Sequence, residues 1–69
     1  MNELYIVIEL QKTGDQMANI VTSHSTLQDA QYKFYTVAAS AAVSQLDKHS
    51  VVLINDEGFT IEKLTFEHK

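Results

Sequence analysis

Few side chains in this sequence are suited to proton transfer, nucleophilic attack or metal binding. The histidines are His24, His49 and His68. They lie far apart in the chain and include no close ligand pair of the H-x₃-H kind, so no zinc site is expected. His49 precedes Ser50, a base next to a hydroxyl. Neighbouring strand residues point to opposite faces, so these two are not expected to bond to each other. Glu9 and Glu62 could meet across strands as an acid and base. Such a pair needs a cleft, which one sheet under one helix rarely forms. "NDEG" at 55–58 lacks the D-x-[DN]-x-[DN]-G spacing of a calcium loop and reads as a turn. Gly14 and Gly58 are the two glycines, too few and too far apart for a phosphate-cradling loop. No catalytic, cofactor-binding or metal-binding residue is therefore assigned, and the chain is expected not to be an enzyme.

Charge excludes a further class. The five cations are all lysines, and nine carboxylates bring the net charge to −4. An acidic surface opposes phosphate, and arginine, with its two-pronged grip on phosphate and guanine, is missing. Nucleic acid is not an expected partner. No apolar run approaches the roughly 18 residues of a membrane span, so no membrane contact is expected. The stretch "MNELYIVIEL" starts acidic and then alternates, unlike a signal peptide. There is no cysteine. These features together suit a cytoplasmic protein.

The elements that must position these residues follow from periodicity. "LYIVIEL" puts Leu4, Ile6, Ile8 and Leu10 on one side of a strand and Tyr5, Val7 and Glu9 on the other. "KTGDQ" turns into a second, weaker strand over about 17–23, whose imperfect alternation suits an edge or a bulge. Ser25 or Thr26 offers a helix N-cap, with Ser25 and Gln28 spaced as a capping box. The helix is expected to run to about Leu46. "HSVVLIN" holds four consecutive apolar residues, the mark of a strand covered on both faces. "FTIEKLTFEHK" closes the chain as a fourth strand, with a bulge near Glu62 and Lys63, or a strand reaching beyond its sheet, to reconcile its two apolar parities. The prediction is one α+β domain over 1–69, ββαββ. Its four-stranded antiparallel sheet, in order 2-1-3-4, carries one long helix packed on one face.

The helix is slim. Leu27, Ala30, Phe34, Val37, Ala38 and Ala41 form the stripe expected on the sheet. Tyr32, Tyr35, Ala39, Ala42, Val43 and Leu46 form a second apolar face beside it. Together they cover roughly two-thirds of the circumference, against about 100° for a helix with one buried side. A chain this short buries only roughly 60% of its unfolded surface, so further copies are the natural source of extra stability. Those six residues are the expected contact between copies, most simply a dimer. The sheet face turned away from the helix, expected to carry Tyr5, Val7 and one parity of 51–54, is the alternative.

"YIVIELQK", "AQYKFYTVAASAAVS" and "HSVVLINDEG" resemble a group of short proteins encoded in phages and prophages of Gram-positive bacteria. The likeness covers residues 5–58. Members of the group often have proline where Asp47 stands here, a departure that bears on where the helix ends. No activity is assigned to the group, so no residue role carries over. The resemblance implies a phage or host protein as partner and a virion-associated or assembly setting. The leading expectation is a non-enzymatic homo-oligomer acting as a phage structural or assembly accessory. Behind it stand an acidic monomer that binds and inhibits a host protein, and a small ligand binder or enzyme using His49 and carboxylates.

Overall fold

A computed structural model describes residues 3–68; of the expected 1–69 domain, Met1, Asn2 and Lys69 lie outside the described residues. The elements are β1 (Tyr5–Thr13), β2 (Gln16–His24), α1 (Leu27–Ala42), β3 (Lys48–Asn55) and β4 (Thr60–Glu67). They form the expected ββαββ architecture, an open antiparallel sheet in the order β2-β1-β3-β4.

The two hairpins differ. Gly14 has φ 60° while no non-glycine residue has positive φ, so Gly14 and Asp15 make a type II′ turn whose twist matches the strands it joins. β1 and β2 then stay in register from Thr13 opposite Gln16 to Tyr5 opposite His24; of the edge or bulge that the weak alternation suited, β2 is the edge, without a bulge. The β3–β4 turn is held by the Asn55 side chain, whose Oδ1 accepts from the amides of Glu57 and Phe59, both at 2.9 Å. Gly58 supplies the positive φ, 86°. The bulge in β4 falls at Ile61, just before the expected position, because Leu53 pairs with Glu62 and Ile54 with Thr60. This extra residue lets Ile61 pack against the core while Phe66 does so from the other parity.

The helix is shorter than its periodicity suggests at both ends. Thr26, not Ser25, is the cap: its Oγ1 accepts from the Asp29 amide at 3.1 Å, and Asp29 lies at the positive helix end. The last helical residue is Ala42, and Val43 and Ser44 tighten onto the Ser40 and Ala41 carbonyls. Tertiary bonds pull the following residues off the axis. Ser44 meets His49, and the Asp47 carboxylate accepts from the Gly14 amide at 2.8 Å. Leu46 therefore lies in the connection to β3, not on the helix.

Half of the slimness is explained inside the fold. Ala30, Ala38 and Ala41 face the sheet, so the helix backbone rides close over Val7, Val51 and Leu53, with Phe34 filling the space between. Each such large buried side chain contributes about 1.5–3 kcal/mol relative to exposure.

The face the helix covers corrects the expectation. It lies over the Tyr5, Val7 and Glu9 side of β1, so Ile6, Ile8 and Leu10 are on the side with no helix. On that side Glu9 and His49 share a face, and Ser44, just past the helix end, reaches His49. The molecule measures 42 × 21 × 15 Å, and the shortest dimension is that of one sheet and one helix.

Candidate functional site

Two features stand out, a polar cluster under the end of the helix and the uncovered face of the sheet. The first is built by register. Gln11 lies opposite His49, and Glu9 is two residues along on the same face of β1. His49 is only 4% exposed. Its Nε2 is 2.6 Å from Glu9 Oε2, and its Nδ1 is 3.1 Å from Ser44 Oγ. Gln11 Nε2 donates to the same Glu9 oxygen at 2.9 Å. A carboxylate only accepts, so Nε2 carries a hydrogen toward Glu9, while Nδ1 lies within hydrogen-bond distance of the Ser44 hydroxyl. Burial raises the Glu9 pKa. The hydrogen bonds from Gln11 and His49, with the neighbouring charges of His49 and Lys33, outweigh it and hold the carboxyl below its ordinary value. Every buried side-chain nitrogen and oxygen among the described residues has a partner.

Ser44, His49 and Glu9 thus follow one another as hydroxyl, imidazole and carboxylate. Acyl transfer would also need amide donors beside Ser44 to hold an oxyanion. The Ser44 amide is bonded instead to the Ala41 carbonyl, and Ser44 follows the carbonyl end of the helix, where acceptors converge. The cluster is built as a clamp tying β1, β3 and the helix end together.

The other sequence candidates are dispersed. His24 Nε2 is 2.9 Å from Thr22 Oγ1 within β2, and His68 Nε2 is 3.0 Å from the Ala41 carbonyl at the helix end. Ser50 lies on the opposite face from His49 and donates to Thr65 Oγ1 at 3.1 Å. Glu62 accepts from the Tyr35 hydroxyl rather than approaching Glu9. Sequence reasoning missed Ser44 because it placed that residue within the helix. The Glu9–His49 pair was hidden because register decides it.

The second feature emerges when residues are read across the strands. On the side away from the helix one row is Val21, Ile8, Val52 and Lys63. The next on one side is Ser23, Ile6, Ile54 and Thr60, and on the other Asn19, Leu10, Ser50 and Thr65. Ile6, Ile8, Leu10, Val52, Ile54 and Val21 therefore form a continuous apolar strip with a polar margin. The six helix-side residues form a less continuous surface. Tyr32 and Val43 are 77% and 81% exposed, and Tyr35, Ala39 and Ala42 are also exposed. Thr36 and Ser40 interrupt them, and Leu46 is half-buried in a shallow hollow of about 130 Å³ that it lines with Gln11, Thr13, Gln16, Met17 and Ala18. No helix among the described residues is long and apolar enough to cross a membrane. No protein-family model, curated protein or solved structure matches this chain.

Proposed function

We propose that this protein is a non-enzymatic building block that associates with copies of itself through the uncovered face of its sheet. One observation carries the reading. β1 and β3 are apolar on both sides, and the helix covers one side only. Antiparallel sheets that face water normally show polar residues there. Here the outward positions of the two central strands hold Ile6, Ile8, Leu10, Val52 and Ile54.

An apolar centre within a polar margin is the anatomy of a protein interface. Four strands about 4.8 Å apart and eight residues long at about 3.3 Å each give a footprint of roughly 500 Å². Its relief brings the buried area toward the roughly 800 Å² per partner of a standard interface. A second copy matches this flat strip in shape, and sheets stack face to face with side chains interleaved about 10 Å apart. The likeness to phage-encoded proteins gives this association the setting of a structural or assembly accessory.

Light scattering over a concentration series tests the proposal. The expected mass is a multiple of 7.8 kDa, reduced by Ile8→Lys with circular dichroism unchanged. A wild-type mass of one chain at all concentrations would end the reading. Loss of association with Ala42→Glu but not with Ile8→Lys would move the contact to the helix face.

A further inference from the structure

We propose that β2 is a second assembly surface, pairing antiparallel, edge to edge, with β2 of another copy and placing Ile20 on the two-fold axis. The inference rests on the self-association reading and adds to it a contact of a different kind, made by backbone rather than by the sheet face.

An exposed edge strand is a template for another strand, and proteins normally blunt it with charge, proline, a bulge or a cover. β2 has none of these. Its sequence, QMANIVTSH, contains no proline and no lysine or carboxylate, and its nine residues pair with β1 without interruption. The helix leaves Ile20 48% exposed and Val21 57% exposed. β2 pairs within the sheet only with β1, and among the described residues no other backbone bond reaches it.

Register shows which of its groups look outward. A two-residue turn is flanked by a hydrogen-bonded pair, here Thr13 and Gln16, and bonded and non-bonded pairs then alternate. The even-numbered residues of β2 thus bond to β1, while the amides and carbonyls of Met17, Asn19, Val21 and Ser23 point away from it. Laying a second β2 antiparallel for full overlap sets Met17 opposite Ser23 of the other copy and Asn19 opposite Val21. Those are bonded pairs, together giving about eight backbone hydrogen bonds.

A second copy fits as the occupant because the edge is compatible with itself in both charge and register. Each chain carries −4, so most surfaces repel their own kind. β2 is the strand along which two copies meet without placing like carboxylates or lysines opposite each other. Ile20 falls at the midpoint of the strand and faces its own counterpart across the axis, beside the helix. On the other side Val21 continues the apolar strip. Antiparallel pairing of the same edge requires an axis perpendicular to the sheet, so both helices stay on one side and the uncovered faces join into one eight-stranded face.

The chain has no cysteine, which makes the test clean. In a non-bonded antiparallel pair the two Cα atoms are about 4.5 Å apart, within the range of a disulfide. Under mild oxidation Ile20→Cys is expected to become a covalent dimer. Leu64→Cys, at the matching row of the other edge and 41% exposed, is expected to remain a single chain. Cross-linking should persist when Ile8→Lys is added, because the edge is independent of the face. Ile20→Cys that stays single, or links no faster than Leu64→Cys, would overturn the edge contact, including the case where a strand of some other protein is the true occupant. Loss of linking on adding Ile8→Lys would also overturn it as a contact in its own right. Should Ile20→Cys link while Ile8→Lys leaves the mass unchanged, the face reading fails and the edge stands.

Discussion

The two edges of this sheet have been treated differently by the same sequence. β4 is broken by the bulge at Ile61 and carries Glu62, Lys63 and Glu67. Glu67 pairs with Lys48 at 3.4 Å, and Glu62 is engaged by Tyr35 from the helix. The chain then continues to His68, whose amide donates to the Asp47 carbonyl at 2.8 Å. β2 is longer, unbroken and uncharged. A bulge and charges along one edge discourage pairing there, and their absence leaves the other open to the pairing proposed above.

The largest expected effect belongs to the frame that both edges share. His49→Ala leaves the half-buried Glu9 with Gln11 and Lys33 but without its closest partner. Breaking a buried pair in this way costs about 3 kcal/mol, and for a domain of this size that lowers Tm by roughly 15 °C. Calorimetry at fixed protein concentration reads it, since association also raises Tm. Because the clamp lies between the central strands, the change should weaken the fold without opening β4 to pairing. A Tm within two degrees of wild type would mean that the clamp is not what holds the strands and helix end together.

Next in size is a test of register at the β2 edge. Asn19 faces Val21 of the other copy in the proposed pairing. Asn19→Glu with Val21→Glu sets like charges opposite each other twice, whereas Asn19→Glu with Val21→Lys sets opposite charges there. Cross-strand pairs of this kind differ in sum by about 2 kcal/mol, or roughly thirtyfold in the dissociation constant. Sedimentation of the two variants in low salt should show the mixed-sign form associating more tightly. Equal affinities would place the axis elsewhere.

Legibility in the sequence followed the range of the interactions. Alternation in "LYIVIEL" and the apolar run of β3 are local, and they sufficed for the strand order and the central strands. The helix start was legible to within one residue, because Ser25 and Thr26 both fit a cap and only the chain's entry angle chooses between them. The helix end was not legible. Nothing local stops "AASAAVSQL"; the stop comes from Ser44 and Asp47 bonding to residues distant in sequence. Which face the helix would cover was equally hidden, since both faces of β1 are apolar and alternation alone does not choose between them. The six helix residues marked as an interface are exposed apart from Leu46, yet their exposure could be read without seeing that a broader strip lies on the other side of the sheet.

Acid offers a smaller, directional test of the same frame. Glu9 titrates below its ordinary value in the folded chain, so the unfolded chain binds more protons there. Its contribution to stability is complete above the ordinary carboxylate range and is lost as pH falls through the lowered folded value. Urea midpoints should therefore decline on that acid limb in the wild type, and the limb should flatten in Glu9→Gln. β2 contains no carboxylate, so association through it should fail together with the fold rather than before it. A mass that drops while circular dichroism is still native would tie the contact to an acidic edge and so to β4.

The smallest effect separates charge from bulge as the device that blunts β4. Tyr35 Oη donates to Glu62 Oε2 at 2.5 Å, and this bond is the main reason the phenol is held above its ordinary pKa, with burial and the Glu62 charge adding to it. Glu62→Gln should lower the pH at which Tyr35 ionises, read as the difference in alkaline absorbance against Tyr35→Phe. The same change removes one charge from the β4 edge but leaves the bulge at Ile61 in place, so the outward amides on either side of it remain out of step with any straight partner strand. Leu64→Cys is thus expected to stay unlinked in the Glu62→Gln background. If it links there, charge alone had kept that edge closed, and the neutrality of β2 becomes the stronger reason that it is open.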